Sequence, residues 1–222
     1  AKLLAPSSKK AFSAKFVGIN GKKVEIDTKE KTDEILAMLN DATFTATAVK
    51  KSVHKKSPAA PFTTSTMQQE ASRRLGFQAR RTMKAAQELY EGIDVNDLGA
   101  VGLITYMRTD SLRISEEARV SAYEFIEQKY GKDYIPESPR VFKSKASAQD
   151  AHEAIRPTMP DLTPENVKSC LTSDQYKLYK LVWERFIASQ MANALLNTVS
   201  VDILANTCNF KASGYSVKFD GF

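Results

Sequence analysis

The chain has 222 residues, with 32 Lys and Arg against 26 Asp and Glu, 42% hydrophobic residues and two cysteines. That length holds one large domain or two small ones, and a mildly basic balance suits a phosphate-bearing partner without requiring one. Cys170 and Cys208 exclude a disulfide framework and a Cys-x-x-Cys zinc site, and no apolar run approaches the ~20 residues of a membrane span.

The pattern from Ala11 to Pro58 is mostly β. Phe12 to Ile19 and Lys23 to Ile26 flank Asn20-Gly21, a hairpin signal. Lys31 to Asn40 reads as a short helix with Ile35, Leu36 and Leu39 on one side, and Thr43 to Val53 is strand-like. A basic run, Lys50-Lys51 and His54-Lys55-Lys56, leads into Ser57-Pro58-Ala59-Ala60-Pro61, whose prolines favour an extended linker at a domain boundary.

Helical signals follow. Ser65 with Gln68 fits a capping box, and Met67, Ala71 and Leu75 recur at helical spacing up to Gly76. Gln78 to Glu91 reads as a second helix. Ser115, followed by Glu116 and Glu117, opens a third. Thr163-Pro164-Glu165 starts another, and Ser173 begins a long amphipathic helix with Tyr176, Tyr179, Val182, Phe186 and Ile187 on one face. Trp183 and the tyrosines have the chemistry to stack on bases, but their spacing assigns them to the core. Strand character returns in Val199, Val201 and Ile203, and in Tyr215, Val217 and Phe219, across an expected turn at Ala212-Ser213-Gly214. Strands first and last with helices between give an α+β fold in which a helical domain is inserted into a β-rich one. The expected segments are 1–62, 63–192 and 193–222. Ala1 has no signal-peptide pattern and Phe222 ends in a strand-like run, so both ends read as cuts in a longer cytoplasmic protein.

Chemistry concentrates in Gly102-Leu103-Ile104-Thr105-Tyr106-Met107-Arg108-Thr109-Asp110-Ser111. A phenol is a weak nucleophile until a cation or base helps it shed its proton. Arg108 is a permanent cation whose forked donors suit phosphate oxygens. Tyr-x-Arg alone is common, and a half-buried tyrosine beside a solvated arginine also accounts for it.

The segment Ile104 to Ser111 resembles the active-site segment of type IA DNA topoisomerases, and Met107 after the tyrosine is closest to the bacterial topoisomerase I branch. Pro61-Phe62-Thr63-Thr64-Ser65-Thr66-Met67-Gln68-Gln69-Glu70-Ala71 with Arg74-Leu75-Gly76-Phe77 resembles the family's upstream block. Ala151-His152-Glu153-Ala154-Ile155-Arg156-Pro157-Thr158 resembles its downstream block. The resemblance implies a β-rich arch interrupted by a helical domain bearing the nucleophile, Tyr106, which cleaves one DNA strand through a 5′-phosphotyrosine and so relaxes negative supercoils. Arg108 would stabilise transition-state charge. His152 and Arg156, taken as one helical turn apart, would face the scissile strand together, with Glu153 as an orienting carboxylate. Thr109 and Asp110 lie beside the tyrosine, where turn formation is their commoner task. Ser65, Gln68 and Gln69 either contact DNA or simply start a helix.

The family's magnesium site is an acidic cluster with an Asp-x-Asp pair in a separate Toprim domain. No Asp-x-Asp occurs in this chain, and Asp94 and Asp97 are too far apart for one. No metal ligand is therefore expected in the chain; magnesium would sit in the parent's Toprim domain, and the isolated chain would not relax DNA. The expected partners are single-stranded DNA and the parent's remaining domains, with no membrane, in a bacterial cytoplasm near the nucleoid. Hinges are expected at Ser57 to Pro61 and Ala192 to Thr198. Two alternatives stay open: another tyrosine transesterase such as a recombinase, which forms a 3′-phosphotyrosine, or a strand-binding gate module without catalysis.

Overall fold

The structure is a computed structural model that describes residues 1–5, 9–95, 98–142 and 152–222. It is a mixed α/β chain with antiparallel sheets, and it divides into two compact units. One comprises Ala1–Lys56 and Leu195–Asp220, the other Ser57–Ala194 and Gly221–Phe222.

The first unit is built on β1 (Lys2–Leu4), β2 (Ala11–Ser13), β3 (Lys15–Ile19), β4 (Lys22–Lys23), α1 (Lys29–Met38), β5 (Phe44–Lys56), β8 (Ala194–Ala205) and β9 (Cys208–Phe219). Its main sheet has the order β4-β3-β9-β8-β5, and β1 pairs with β2 separately. Asn20 and Gly21 both adopt positive φ, 51° and 75°, and Ile19 pairs with Lys22. This is the two-residue loop the Asn-Gly signal specifies, because its twist matches that of the strands. The β4 strand is shorter than the expected Lys23 to Ile26.

The expected turn at Ala212-Ser213-Gly214 is not there. Those residues pair with Val201, Ser200 and Val199 inside β9, and the chain reverses at Asn206-Thr207 instead. Asn206 takes φ 51°, a conformation asparagine tolerates better than most residues. Gly214 has open space where a Cβ would stand, so nothing there forces a bend. Phe210 sits between Phe16 and Phe44 at 5.7 and 5.2 Å, packed with Ile203 and the buried thiol of Cys208. Thr47 Oγ1 donates to the Asp202 carbonyl, and the Ser52 and Thr198 hydroxyls lie 2.8 Å apart. These contacts run in opposite chain directions. Lys56 and Leu195, where the chain leaves and re-enters this unit, therefore lie at the same end of neighbouring strands.

The second unit holds α2 (Thr64–Leu75), α3 (Ala79–Glu91), a β6–β7 pair (Ile93–Asp94 and Ala100–Val101), α4 (Glu116–Tyr130), α5 (Pro164–Val167) and α6 (Ser173–Gln190). The capping box of α2 is Thr63 with Thr66, not Ser65 with Gln68. Thr63 has the extended backbone an N-cap needs, and Ser65 falls inside the first turn. Gly76 ends α2 in the left-handed conformation, and Ser115 caps α4 as expected. The Thr163 signal yields only the single turn of α5.

Helix α6 buries Tyr179, Val182, Trp183, Phe186 and Ile187 in the core of this unit. Trp183 stands edge-on to Phe125 at 5.4 Å and donates Nε1–H to the Pro160 carbonyl. Trp183 and Tyr179 are thus core residues, while Tyr176 is half-buried with the Lys168 ammonium 5.5 Å from its ring centre. The expected linker is extended but packed down. Pro58 and Pro61 are buried, and the Ala60 carbonyl accepts from Arg185.

Tyr179 donates to the Leu162 carbonyl at 2.5 Å, and burial pushes its phenol pKa up. A raised folded value means this stabilisation is complete below the ordinary phenol range near pH 10 and is lost as pH rises beyond it. Thermal melts from about pH 8 to about pH 11 should therefore show an alkaline fall. In Tyr179→Phe that fall should shrink, from a starting stability lower by about 1 kcal/mol. An identical alkaline fall in the variant would contradict this assignment.

Candidate functional site

Three sequence-distant stretches form one backbone array in the second unit. Phe62 bridges Ile155, and Ile104 bridges Pro157. Ile155 donates to the Phe62 carbonyl, Thr105 to that of Arg156, Thr158 to that of Leu103, and Thr64 to that of Thr109, all at 2.8–3.0 Å. Threonine hydroxyls lock the array. Thr64 Oγ1 donates to the Met107 carbonyl at 2.7 Å and accepts from the Thr109 amide at 2.9 Å. Thr105 Oγ1 donates to the Ala154 carbonyl at 2.8 Å and accepts from the Arg156 amide at 3.0 Å.

Exposure alternates along the central stretch. Tyr106, Arg108 and Asp110 are exposed, while Met107, Thr109 and Ser111 are buried. The apolar and small residues anchor the segment, and its chemistry-bearing side chains face water. Tyr106 is 42% exposed, and among the described residues its hydroxyl makes no hydrogen bond. Its ring contacts Tyr90 at 5.3 Å, edge-on, and His152 at 6.2 Å. A pocket of about 200 Å³ is lined by Thr105, Tyr106, Thr109, His152 and Glu153. Arg108 forms no ion pair or hydrogen bond among the described residues, so its guanidinium is available to an incoming anion.

The downstream block departs from its expected form. His152 to Arg156 is extended rather than helical, because Phe62 and Thr105 take up its backbone groups. His152 and Arg156 are therefore not one helical turn apart. His152 and Glu153 line the pocket; Arg156 does not. Arg156 is mostly buried, pairs with Glu153 at 2.7 Å and donates to the Pro157 carbonyl at 3.0 Å, while its Nε has no partner among the described residues. Thr109 Oγ1 accepts from the Ser111 amide, a local turn bond. Ser65 is exposed on α2 and accepts from Gln69 Nε2, and Gln68 and Gln69 line a separate groove. Ala151 and Asp97 lie outside the described residues.

Tyr90, Thr64 and Thr105 were not singled out as site residues from sequence. Tyr90 reaches Tyr106 because Gly102 lets the end of α3 come close; a Cβ on Gly102 would meet the Tyr90 carbonyl at 2.7 Å. Among the described residues no three His, Cys, Asp or Glu side chains converge as metal ligands, and no helix is long and apolar enough to cross a membrane.

The family model described as DNA topoisomerase matches residues 5–222. The full-length topoisomerase I from Thermotoga maritima is similar in structure, with a TM-score of 0.75 and 37% sequence identity over 95% of this chain and 33% of that one. The chain thus spans about a third of the length of that relative. A match over nearly every residue, with the three motif blocks joined in one site, shows that the chain belongs to the DNA topoisomerase family.

Proposed function

We propose that this chain supplies the nucleophile and moving gate of a type IA topoisomerase acting on single-stranded segments of negatively supercoiled DNA. The Tyr106 phenolic oxygen bonds to a backbone phosphorus as the bond from phosphorus to the 3′ oxygen breaks. The upstream fragment leaves with a 3′ hydroxyl, which gains the equivalent of the proton the phenol gives up, and the downstream fragment stays attached through its 5′ phosphate. One phosphodiester replaces another, so resealing needs no nucleotide cofactor, and the tether prevents loss of the broken end.

The observation that carries this reading is the exposed Tyr106 in the lining of the pocket, its hydroxyl unbonded among the described residues, two residues from an arginine that is likewise unpaired among them. Arg108 stabilises charge on the non-bridging oxygens. His152 orients the tyrosine ring and the bound strand, and Glu153 holds Arg156, which braces the wall of the pocket. In the whole enzyme the helical unit swings on its β-rich support, carrying the attached end. Magnesium belongs to the acidic cluster of the parent's Toprim domain.

The test is covalent capture of 5′-end- and 3′-end-labelled single strands on a denaturing gel, with magnesium, with and without a Toprim-containing fragment. Capture through the 5′ phosphate only when that fragment is supplied is the expected result, with no relaxation of supercoiled DNA by the chain alone. An adduct at a 3′ phosphate would sink the type IA reading. Salt-dependent binding without any adduct under either condition would mark a strand-binding module.

A further inference from the structure

Helix α2 offers a surface that the chemistry at Tyr106 leaves unused. Ser65, Gln69, Ser72 and Arg73 are all exposed and recur at helical spacing along one stripe. The stripe begins at the pocket, since Thr64, the first residue of α2, is bonded to the pocket-wall residue Thr109. It runs into a groove of about 440 Å³ whose lining includes Gln68, Gln69, Ser72, Arg73 and Gln78.

Positive charge is in surplus there. Glu70 is shared by Arg73 at 3.3 Å, Arg74 at 3.7 Å and Arg185 at 3.3 Å, so three guanidiniums compete for one carboxylate. Burial, then repulsion by Arg74 and Arg73, holds the Arg185 pKa below the ordinary guanidinium value, with Glu70 opposing. Arg80, next to the groove residue Ala79, is exposed and has no ion pair among the described residues. Arginine with amide and hydroxyl groups is a donor set that grips phosphates and sugars without reading bases.

We propose that this stripe and groove hold the DNA strand that remains attached to Tyr106, the fragment on the 3′ side of the cleaved phosphate. The proposal rests on the reading of Tyr106 as the nucleophile. The unit bearing the nucleophile keeps that fragment after cleavage, and a single covalent bond would let it swivel. A second grip on the same unit keeps the phosphotyrosine oriented for resealing. From Thr64 to Arg73 the helix rises roughly 14 Å, room for about four stacked nucleotides at ~3.4 Å each.

The experiment uses full-length enzyme carrying Tyr106→Phe and fluorescent single strands with a fixed 5′ arm and 3′ arms lengthened one nucleotide at a time. Affinity should rise over about the first four 3′-arm nucleotides and then level off. Arg73→Gln combined with Arg80→Gln should lower affinity for the long-arm strand about tenfold and reduce its salt slope by about 1.4, at ~0.7 for each lost phosphate contact. Both side chains are exposed, and a matching melting temperature confirms that the fold is kept. Affinity that stays flat as the 3′ arm lengthens, or a double variant that binds the long 3′ arm as tightly as the parent, overturns the proposal. Covalent capture by enzyme with Tyr106 intact separates the two readings. Normal 5′-phosphate capture without a 3′-arm effect removes only the track, whereas a 3′-phosphate adduct removes the nucleophile assignment beneath it.

Discussion

Tyr106→Phe should leave folding and single-strand affinity unchanged while abolishing covalent capture of DNA. The structure makes this a clean substitution. Among the described residues the Tyr106 hydroxyl has no hydrogen-bond partner to lose, and the ring contacts with Tyr90 and His152 do not use it. Deleting the oxygen therefore removes only the atom that would bond to phosphorus. Arg108→Lys keeps a positive charge but gives up the planar fork that meets two phosphate oxygens at once. Because Arg108 makes no ion pair or hydrogen bond among the described residues, its replacement strands no partner there. Capture by Arg108→Lys, supplemented with the Toprim-containing fragment, should slow by roughly a hundredfold, the cost of weakening one electrostatic contact made in the transition state. Equal rates of capture by Arg108→Lys and the parent would remove Arg108 from the chemistry. Capture by Tyr106→Phe would move the nucleophile elsewhere.

What the sequence revealed and what it hid divide along local and non-local lines. Asn20-Gly21, Gly76 and Ser115 each dictate their own backbone conformation, so the hairpin, the helix stop and the helix start were legible. The spacing of Tyr179, Val182 and Phe186 likewise gave the buried face of α6. The reversal at Asn206-Thr207 was missed because glycine at Gly214 carried the stronger turn signal, yet its strand neighbours pair straight through it. The downstream block was misread as helical for a different reason. His152 to Arg156 has helix-compatible residues, but Phe62 and Thr105, distant in sequence, claim its amides and carbonyls. Tyr106 and His152 share a pocket through that same array, which no single motif encodes. Tyr90 was hidden for the same cause: its approach depends on the missing side chain of Gly102.

Phe62 is where stability and site geometry meet, and Phe62→Ala should cost roughly 3 to 5 kcal/mol, the range for emptying a fully buried aromatic site. Its ring is wholly buried in the core of the second unit, with the Arg185 guanidinium 4.5 Å from its centre. Arg185 is itself only 21% exposed and leans on Glu70, so a cavity at Phe62 also takes away the aromatic face that a partly desolvated cation needs. Phe62 further supplies the carbonyl that receives the Ile155 amide and so sets the depth of the downstream block against the tyrosine segment. The damage should therefore exceed what stability alone predicts. At a temperature where Phe62→Ala is still folded, capture through Tyr106 should remain depressed, because His152 is no longer held beside the ring. Phe62→Leu refills most of the volume and should recover most of the stability, but without a π face for Arg185 it should stop short of the parent. Denaturant melts combined with single-turnover capture of labelled strands decide the matter. If capture by folded Phe62→Ala matches the parent, the site does not depend on how deeply Phe62 seats the downstream block.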